Sequence, residues 1–407
     1  MRSESASLAV ELPFIARMPW HHRRLVDHLG RLQRGTLQVQ FGDFAPFTLR
    51  GNEAGPEASI LVRHPAALLR RLFWRGDLGF AEAFMAQEWD SPHPARLLEL
   101  LALNADALAA SGSRHGLAQL LVGARHWLNR NTRRGSRRNI AAHYDLGNDF
   151  YARWLDPGMT YSAAAFDRGG SLAEAQQRKY QRMLELIDAA PGAHILEIGC
   201  GWGGFAEHAA RQGYRVTGIT LSAEQLAFAR ERIARAGLRE RVTLALCDYR
   251  DLEGQFDHVV SIEMFEAVGR EYWSGYFETL QARLRPGGRA ALQVITIDET
   301  RFDAYATNPG GFIQSYIFPG GMLPTRRHLR EYAAAAGLEP GHEIAFGLDY
   351  ADTLAQWDCA FARQTEWLDA HGYDERFRRM WHYYLAFCEA GFRSRHIDVV
   401  QTVLHKP

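Results

Sequence analysis

Residues 195–203 read Ile-Leu-Glu-Ile-Gly-Cys-Gly-Trp-Gly, and few folds accommodate such a run. Four residues suited to a buried strand lead into Gly199, Gly201 and Gly203, and a helix-like stretch follows at 205–211. Clustered glycines let the backbone turn tightly and approach a ligand without Cβ interference. The helix start beyond them offers free amide N–H groups. Glu197 sits on the strand just before the turn. That arrangement suits a nucleoside-containing ligand at the carboxyl end of the first strand of an open α/β sheet.

The spacing separates two kinds of ligand. A dinucleotide fingerprint is Gly-x-Gly-x-x-Gly, with an acid about twenty residues later on a ribose. Here the pattern is Gly-x-Gly-x-Gly and the acid precedes the first glycine, which favours S-adenosylmethionine over NAD or FAD. A tight strand–helix turn without a ligand is the plainer alternative, and the downstream pattern weighs against it. Strand-like runs at 214–219, 241–246, 256–262 and 289–295 are separated by helical or turn segments. A helix is expected over 223–236, with Ser222 as N-cap and Gln225 at the capping-box position. A turn is expected at 284–288, Leu-Arg-Pro-Gly-Gly. Alternating strands and helices predict an α/β fold with a doubly wound, mostly parallel sheet. Ligand residues then come from strand ends: the three glycines, Thr220, Leu221, Gln225, Asp248 and Tyr249.

At 407 residues the chain should hold two domains, or one with large additions. The 47 basic and 47 acidic side chains cancel, so no global attraction to nucleic acid follows. The four cysteines, 200, 247, 359 and 388, lack metal-site spacing and read as reduced thiols of a cytoplasmic protein. No metal ligand set is apparent. The N-terminus lacks a signal-peptide core, and no apolar run is long enough to span a membrane. Charge is unevenly spread. Between Arg114 and Arg138 lie seven arginines and no acid, with Trp127 and Leu128 among them. This reads either as a solvated linker or as a patch for anionic lipid headgroups, where each cation contributes roughly 1 kcal/mol. It divides the chain into a smaller N-terminal α+β domain over 1–110, a basic linker over 111–138 and a catalytic domain over 139–407. In the first, strands are expected at 37–41 and 60–62, and helices at 65–73, 78–87 and 95–103.

With these segments in place the chain resembles the cyclopropane-fatty-acid synthase family, which includes the mycolic acid cyclopropane synthases. The signposts begin with His143-Tyr144-Asp145-Leu146-Gly147-Asn148-Asp149-Phe150 and Met159-Thr160-Tyr161-Ser162. After the glycine motif come Thr220-Leu221-Ser222-Ala223-Glu224-Gln225, Asp248-Tyr249-Arg250-Asp251 and Met264-Phe265-Glu266. The last are Tyr316-Ile317-Phe318-Pro319-Gly320-Gly321, Tyr350 and Phe392-Arg393-Ser394-Arg395. The N-terminal part, with Gly76-Asp77-Leu78-Gly79-Phe80-Ala81-Glu82 and Trp89-Asp90, is similar to the lipid-engaging domain of the phospholipid-acting members. Mycolic-acid members lack it.

The resemblance implies a class I methyltransferase fold that uses S-adenosylmethionine to methylate the cis double bond of an unsaturated acyl chain in a membrane phospholipid. It implies a cytoplasmic protein held peripherally on the inner membrane face, and leaves a homodimer open. By the family pattern Tyr161 and Ser162 touch the methionine part of the cofactor. The glycines pack beneath it, Thr220, Leu221 and Gln225 lie near the ribose, and Tyr249 and Arg250 border the adenine. Attack by the alkene leaves a carbocation. Aromatic faces such as Tyr161, Phe265, Tyr316 and Tyr350 would stabilise it, on the order of 2 kcal/mol when desolvated. A base then removes one proton, giving a cyclopropane or a methyl-branched or methylene chain.

In the best-known members that base is bicarbonate, held by a cysteine, the Met-Phe-Glu glutamate, a histidine and a late tyrosine. Here the glutamate is Glu266 and the tyrosine Tyr350, but Ala163 stands for the cysteine and Gln293 for the histidine. Ala267 follows Glu266, where a histidine is usual. Bicarbonate use is therefore put in question. An added carboxylate, Glu263, makes with Glu266 a candidate protein-borne base or an anchor for the anion. Cys388 stands where the family has a late cysteine proposed as a nucleophile. Methylating an alkene needs no covalent enzyme intermediate, so a buried structural thiol is its other reading. Two further functions compete: a small-molecule methyltransferase on the same fold, and a lipid-binding homologue that has lost catalysis.

Overall fold

The computed structural model describes residues 17–109, 146–167, 169–307 and 310–407. The arginine run at 114–138 and the His143-Tyr144-Asp145 signpost lie outside the described residues. The described chain forms two compact units. One comprises 17–109, 310–312 and 362–394; the remaining residues make the other.

The first unit holds a four-stranded sheet of order β2-β1-β3-β4, with β1 Arg34–Phe41, β2 Phe47–Arg50, β3 Glu53–Val62 and β4 Trp89–Asp90. Alternate residues Leu37, Val39 and Phe41 of β1 are fully buried, the two-residue period of a half-exposed strand. The helices expected at 65–73 and 78–87 are two arms of one helix, Pro65–Met85, bent at Gly76 (φ 51, ψ −131). Glycine tolerates that left-handed φ. Phe73 and Trp74, just before the bend, are 64% and 61% exposed. The helices Thr365–Ala370 and Glu375–Arg393 also belong here, although the sequence grouped them with the catalytic domain. Arg379 secures the second of them: Nε donates to Phe84 O at 2.6 Å and the guanidinium lies 4.0 Å from the Phe84 ring.

The second unit holds a seven-stranded sheet of order β10-β11-β9-β8-β5-β6-β7. Its strands are β5 His194–Ile198, β6 Arg215–Thr220, β7 Val242–Leu246, β8 Phe256–Ile262, β9 Leu284–Ile297, β10 Glu339–Ala345 and β11 Ile397–His405. β11 runs antiparallel to β9 and β10; the pairs from β9 through β8, β5 and β6 to β7 are parallel. The expected doubly wound, mostly parallel sheet is thus present. Side chains alternate between two layers: Leu196, Ile198 and Val259 enter one core with Trp273, Tyr276 and Phe277. Ile195 and Val260 enter the other with Phe205, Ala209 and Leu226. Strand order reverses between β5 and β8, the switch point where open α/β sheets bind ligands.

Local rules explain most boundaries. Ser222 caps the helix Ala223–Arg235, its side chain accepting from Gln225 N–H at 3.2 Å, a contact worth about 1 kcal/mol. The Gln225 side chain does not complete a capping box; its Oε1 accepts from the Thr220 hydroxyl at 3.2 Å. The turn expected at 284–288 is instead the start of β9. Gly287 has φ +76, and a Cβ on Gly288 would lie 2.6 Å from Asp257 O. The Pro-Gly-Gly sequence makes an irregularity in the ladder, where the register with β8 shifts between Phe256 and His258.

Candidate active site

The glycine turn joins β5 to the helix Gly204–Arg211. Gly199, Gly201 and Gly203 have φ of +85, +48 and +81, which side-chain-bearing residues rarely adopt. A Cβ on Gly199 would meet Met264 Cγ at 2.9 Å, and one on Gly203 would meet Ala229 Cβ at 3.1 Å. At Gly201 nothing lies within 4 Å, so that backbone faces open space. Gly199 and Cys200 N–H both donate to Ile219 O at 2.9 Å, tying the turn to β6. Glu197 is buried with Oε2 unpartnered. Burial pushes its carboxyl up to about 8, against Lys179 and Arg232. An orphaned acceptor beside an open glycine turn fits a bound group carrying an ammonium and a nucleoside. Thr220 ends β6, and Leu221 and Gln225 follow it. After β7, Asp248 is locked by Arg250, whose Nε reaches Oδ1 at 2.9 Å and Nη2 reaches Oδ2 at 2.6 Å. The Arg250 guanidinium lies 5.6 Å from the rings of Tyr249 and Tyr272.

The segment 160–163 is pinned by the helix Leu172–Ile187. Gln176 Nε2 donates to Ser162 O at 2.9 Å, Lys179 Nζ to Ser162 Oγ at 2.6 Å, and Tyr180 hydroxyl to Thr160 Oγ1 at 3.2 Å. Lys179 is fully buried. Burial lowers its ammonium to about 8 while Glu263, Asp156 and Glu197 hold it up. Sequence reasoning missed this lysine. Its signal was position: Ala175, Gln176, Lys179, Tyr180 and Met183 make the buried stripe of an amphipathic helix, and a lysine there calls for a partner. The Tyr161 ring stands among Tyr151, Trp154 and Trp357, with centroids at 5.5, 5.6 and 5.3 Å. Phe265 instead packs among Trp273, Tyr276 and Phe277 in the core.

The carboxylates follow β8. Glu263 adopts φ +49, a left-handed backbone that costs a non-glycine residue roughly 1–2 kcal/mol. Its Oε1 accepts from Ala163 N–H at 2.8 Å and from Gln293 Nε2 at 2.7 Å; its Oε2 accepts from the Tyr350 hydroxyl at 2.7 Å. Burial raises its carboxyl, opposed by the bonds from Tyr350, Ala163 and Gln293 and by Lys179. Glu266 Oε1 accepts from Ile295 N–H, and its Oε2 is buried without a partner. Burial, then the Glu263 charge, pushes Glu266 up to about 8. Met322 N–H donates to Glu266 O at 2.9 Å, joining the Tyr-Ile-Phe-Pro-Gly-Gly segment to this turn.

Glu263, Gln293 and Tyr350 thus meet in one buried cluster with Ala163, and Glu266 lies one short turn away. Cys388 lies in the helix Glu375–Arg393 of the first unit. Burial pushes its thiol up to about 12, leaving almost no thiolate at neutral pH. It behaves as a structural thiol.

A glycine turn at the switch point, with acids at the ends of β5 and β8, defines a Rossmann-like S-adenosylmethionine-dependent methyltransferase. A family model described as mycolic acid cyclopropane synthetase matches residues 131–402. The tuberculostearic acid methyltransferase UfaA1 of Mycobacterium tuberculosis is 42% identical over 361 residues, 86% of this chain and 84% of that protein. The cyclopropane-fatty-acyl-phospholipid synthase of Escherichia coli K12 is 36% identical over 362 residues, 86% of this chain and 88% of that protein. The crystal structure of mycolic acid cyclopropane synthase CmaA1 complexed with SAH and CTAB superposes with a TM-score of 0.62 at 31% identity, covering 66% of this chain and 98% of that one. The chain belongs to the cyclopropane-fatty-acid synthase family, and S-adenosylmethionine is its cosubstrate.

Proposed function

We propose that the protein methylates the double bond of an unsaturated acyl chain in a membrane phospholipid, and that Glu263 is the base that collects the resulting proton. The observation that carries this reading is the Glu263 carboxylate itself, held by Ala163 N–H, the Gln293 amide and the Tyr350 hydroxyl. A small anion bound at this point would need the same three donors. On this reading a chain-borne base does the work of a borrowed one, and alanine at 163 and glutamine at 293 fit that exchange.

Bound S-adenosylmethionine supplies an electrophilic methyl group and leaves as a thioether with the carbon–sulfur electron pair. The chain's residues do the rest. Gly199, Gly201 and Gly203 with Glu197 receive the cofactor, Tyr161 and Ser162 face its methionine part, and Thr220, Leu221, Gln225, Asp248, Tyr249 and Arg250 surround its nucleoside. The alkene π pair forms the new carbon–carbon bond and leaves a cation on the acyl chain. A C–H bond then breaks, its electron pair closes a cyclopropane or forms a new double bond, and the proton passes to Glu263. Oε1 already accepts two hydrogen bonds and Oε2 one, so Oε2 keeps a lone pair for that proton. The Tyr350 hydroxyl can then turn from donor to acceptor. Glu266, held near 8, stays mostly protonated at neutral pH and keeps a second negative charge from forming beside Glu263. The higher identity to a tuberculostearic acid methyltransferase than to a cyclopropane synthase favours the second of the two outcomes, a branched chain that keeps a double bond.

The reading includes peripheral attachment to the bilayer. No helix among the described residues is long and apolar enough to cross a membrane. The exposed Phe73 and Trp74 and the arginines at 114–138 are the features that would engage lipid. The test is incubation of purified protein with methyl-labelled S-adenosylmethionine and unsaturated phospholipid vesicles, resolving cyclopropane from branched products by mass spectrometry. Label confined to water-soluble products, or absent, overturns it.

A further inference from the structure

Gln293 is the inner end of a longer chain of hydrogen bonds. It lies on β9 directly opposite Gln401 on β11, and both side chains are fully buried. Gln401 Nε2 donates to Gln293 Oε1 at 2.8 Å. Arg182, on the helix Leu172–Ile187, donates from Nε to Gln401 Oε1 at 3.0 Å, and its guanidinium lies 4.6 Å from the Phe346 ring. The path is therefore Arg182, Gln401, Gln293, Glu263, with every donor pointing toward the carboxylate.

The direction of this chain is forced. A guanidinium has donors and no acceptor, so Gln401 must turn its carbonyl oxygen to Arg182. Its NH2 then faces Gln293, which must present its own oxygen there and its own NH2 to Glu263. Reversing either amide would set two oxygens or two NH2 groups against each other at hydrogen-bond distance. We propose, on the reading that Glu263 is the base, that Arg182 and Gln401 are positioning residues: through Gln293 they keep a donor on Glu263 Oε1 and leave Oε2 to receive the substrate proton. A donor held on the carboxylate favours its ionised form, so the relay also keeps the base ready at lower pH. It is not alone in this. Lys179 faces Glu263 from the same helix as Arg182, Tyr350 from the helix Gly347–Ala362, and Glu266 from the turn Phe265–Ala267. Asp167, Asp349 and Glu185 face Arg182 itself.

The relay makes a specific claim about pH. The acidic limb of the turnover profile follows protonation of Glu263. Gln401→Met removes no charge but frees the Gln293 amide to rotate. Arg182→Met removes the group that sets the direction. Each should move the acidic limb to higher pH by about one unit, which lowers kcat about tenfold on that limb and little on the plateau above it, since a lost donor raises a carboxyl pKa. The KM for S-adenosylmethionine should not change. The double variant should be no worse than either single one, because the two residues act in series, and Arg182→Lys should recover part of the loss. The assay is turnover of unsaturated phospholipid vesicles across pH, with cofactor affinity by calorimetry as the check on folding. If Arg182→Met does not fold, Gln401→Met tests the same link. A parental acidic limb in folded Gln401→Met overturns the relay. Full turnover in Glu263→Gln overturns the reading of the base; an inactive Glu263→Gln beside a parental profile in Gln401→Met sinks the relay alone.

Discussion

Glu263→Gly separates a chain-borne base from an ordinary buried acid. The backbone at 263 is left-handed, φ +49. Glycine there relieves roughly 1–2 kcal/mol of strain and gives back roughly 0.5–1 kcal/mol in chain entropy, so the backbone balance is close to neutral. What changes is the space. Ala163 N–H, Gln293 Nε2 and the Tyr350 hydroxyl lose their acceptor, at about 1–3 kcal/mol for each donor left buried and unsatisfied. A small carboxylate can take all three bonds. Without a base, turnover should fall at least about a hundredfold, the low end for general acid–base catalysis, or about 2.7 kcal/mol at 1.36 kcal/mol per decade. Formate or bicarbonate should restore part of it, with saturation, while the parent responds weakly to either. The assay is lipid product by mass spectrometry in degassed buffer, titrated with each anion, at constant cofactor affinity. Parental turnover in anion-free Glu263→Gly would refute the base. So would a folded, cofactor-binding variant that neither anion revives.

Three other outcomes follow from the same geometry. Burial and the Glu263 charge raise Glu266 from 4.5 to about 8; the folded chain keeps a proton through that window that the unfolded chain releases, so stability is greatest below it and falls as pH rises through it. Glu266→Gln should flatten that fall, as read by Tm against pH, and an unchanged slope would contradict it. Gly201→Val should abolish S-adenosylmethionine binding in calorimetry, since φ +48 strains a branched residue and its side chain would fill the open space where the backbone meets the ligand; near-parental affinity in a folded variant would remove the cofactor from this turn. Replacing Phe73 and Trp74, 64% and 61% exposed, by serine should weaken co-sedimentation with phospholipid vesicles at least tenfold, given about 1.5–3 kcal/mol for burying a large apolar side chain; unchanged sedimentation would take this face out of membrane contact.

The parts of the site that sequence made legible are those governed by local rules. Three glycines in five residues fit three positive φ values. The runs at 214–219, 241–246 and 256–262 lie on β6, β7 and β8 within a residue or so. The proximity of Glu263 to Glu266 was readable because three residues is a short distance along any chain. The relay was not, because Gln293 and Gln401 are 108 residues apart and meet only through the register of β9 with β11. Nothing local to 401 fixes that register. The same holds for the helix Glu375–Arg393, which packs in the first unit with Arg379 reaching Phe84, 295 residues away. Lys179 lies between these cases: its helical stripe was visible, but the need for a buried cation appears only once Glu197, Asp156 and Glu263 converge on it.

Stability alone does not account for residue 263 and its neighbours. A chain selected only to fold would carry glycine where φ is +49, and apolar side chains at the fully buried positions 293 and 401 between Leu292, Val294, Val400 and Val403. Instead the backbone is strained, two amides are desolvated, and one carboxylate is buried beside a second that is pushed toward neutrality. Each departure is of order 1–3 kcal/mol, against a net stability of only about 5–15 kcal/mol for a domain. They do not scatter: all lie within one hydrogen-bonded path from Arg182 to Tyr350. Costs concentrated in this way mark a site where geometry serves chemistry, and here they converge on one carboxylate, that of Glu263, bonded at Oε1 by Ala163 and Gln293 and at Oε2 by Tyr350.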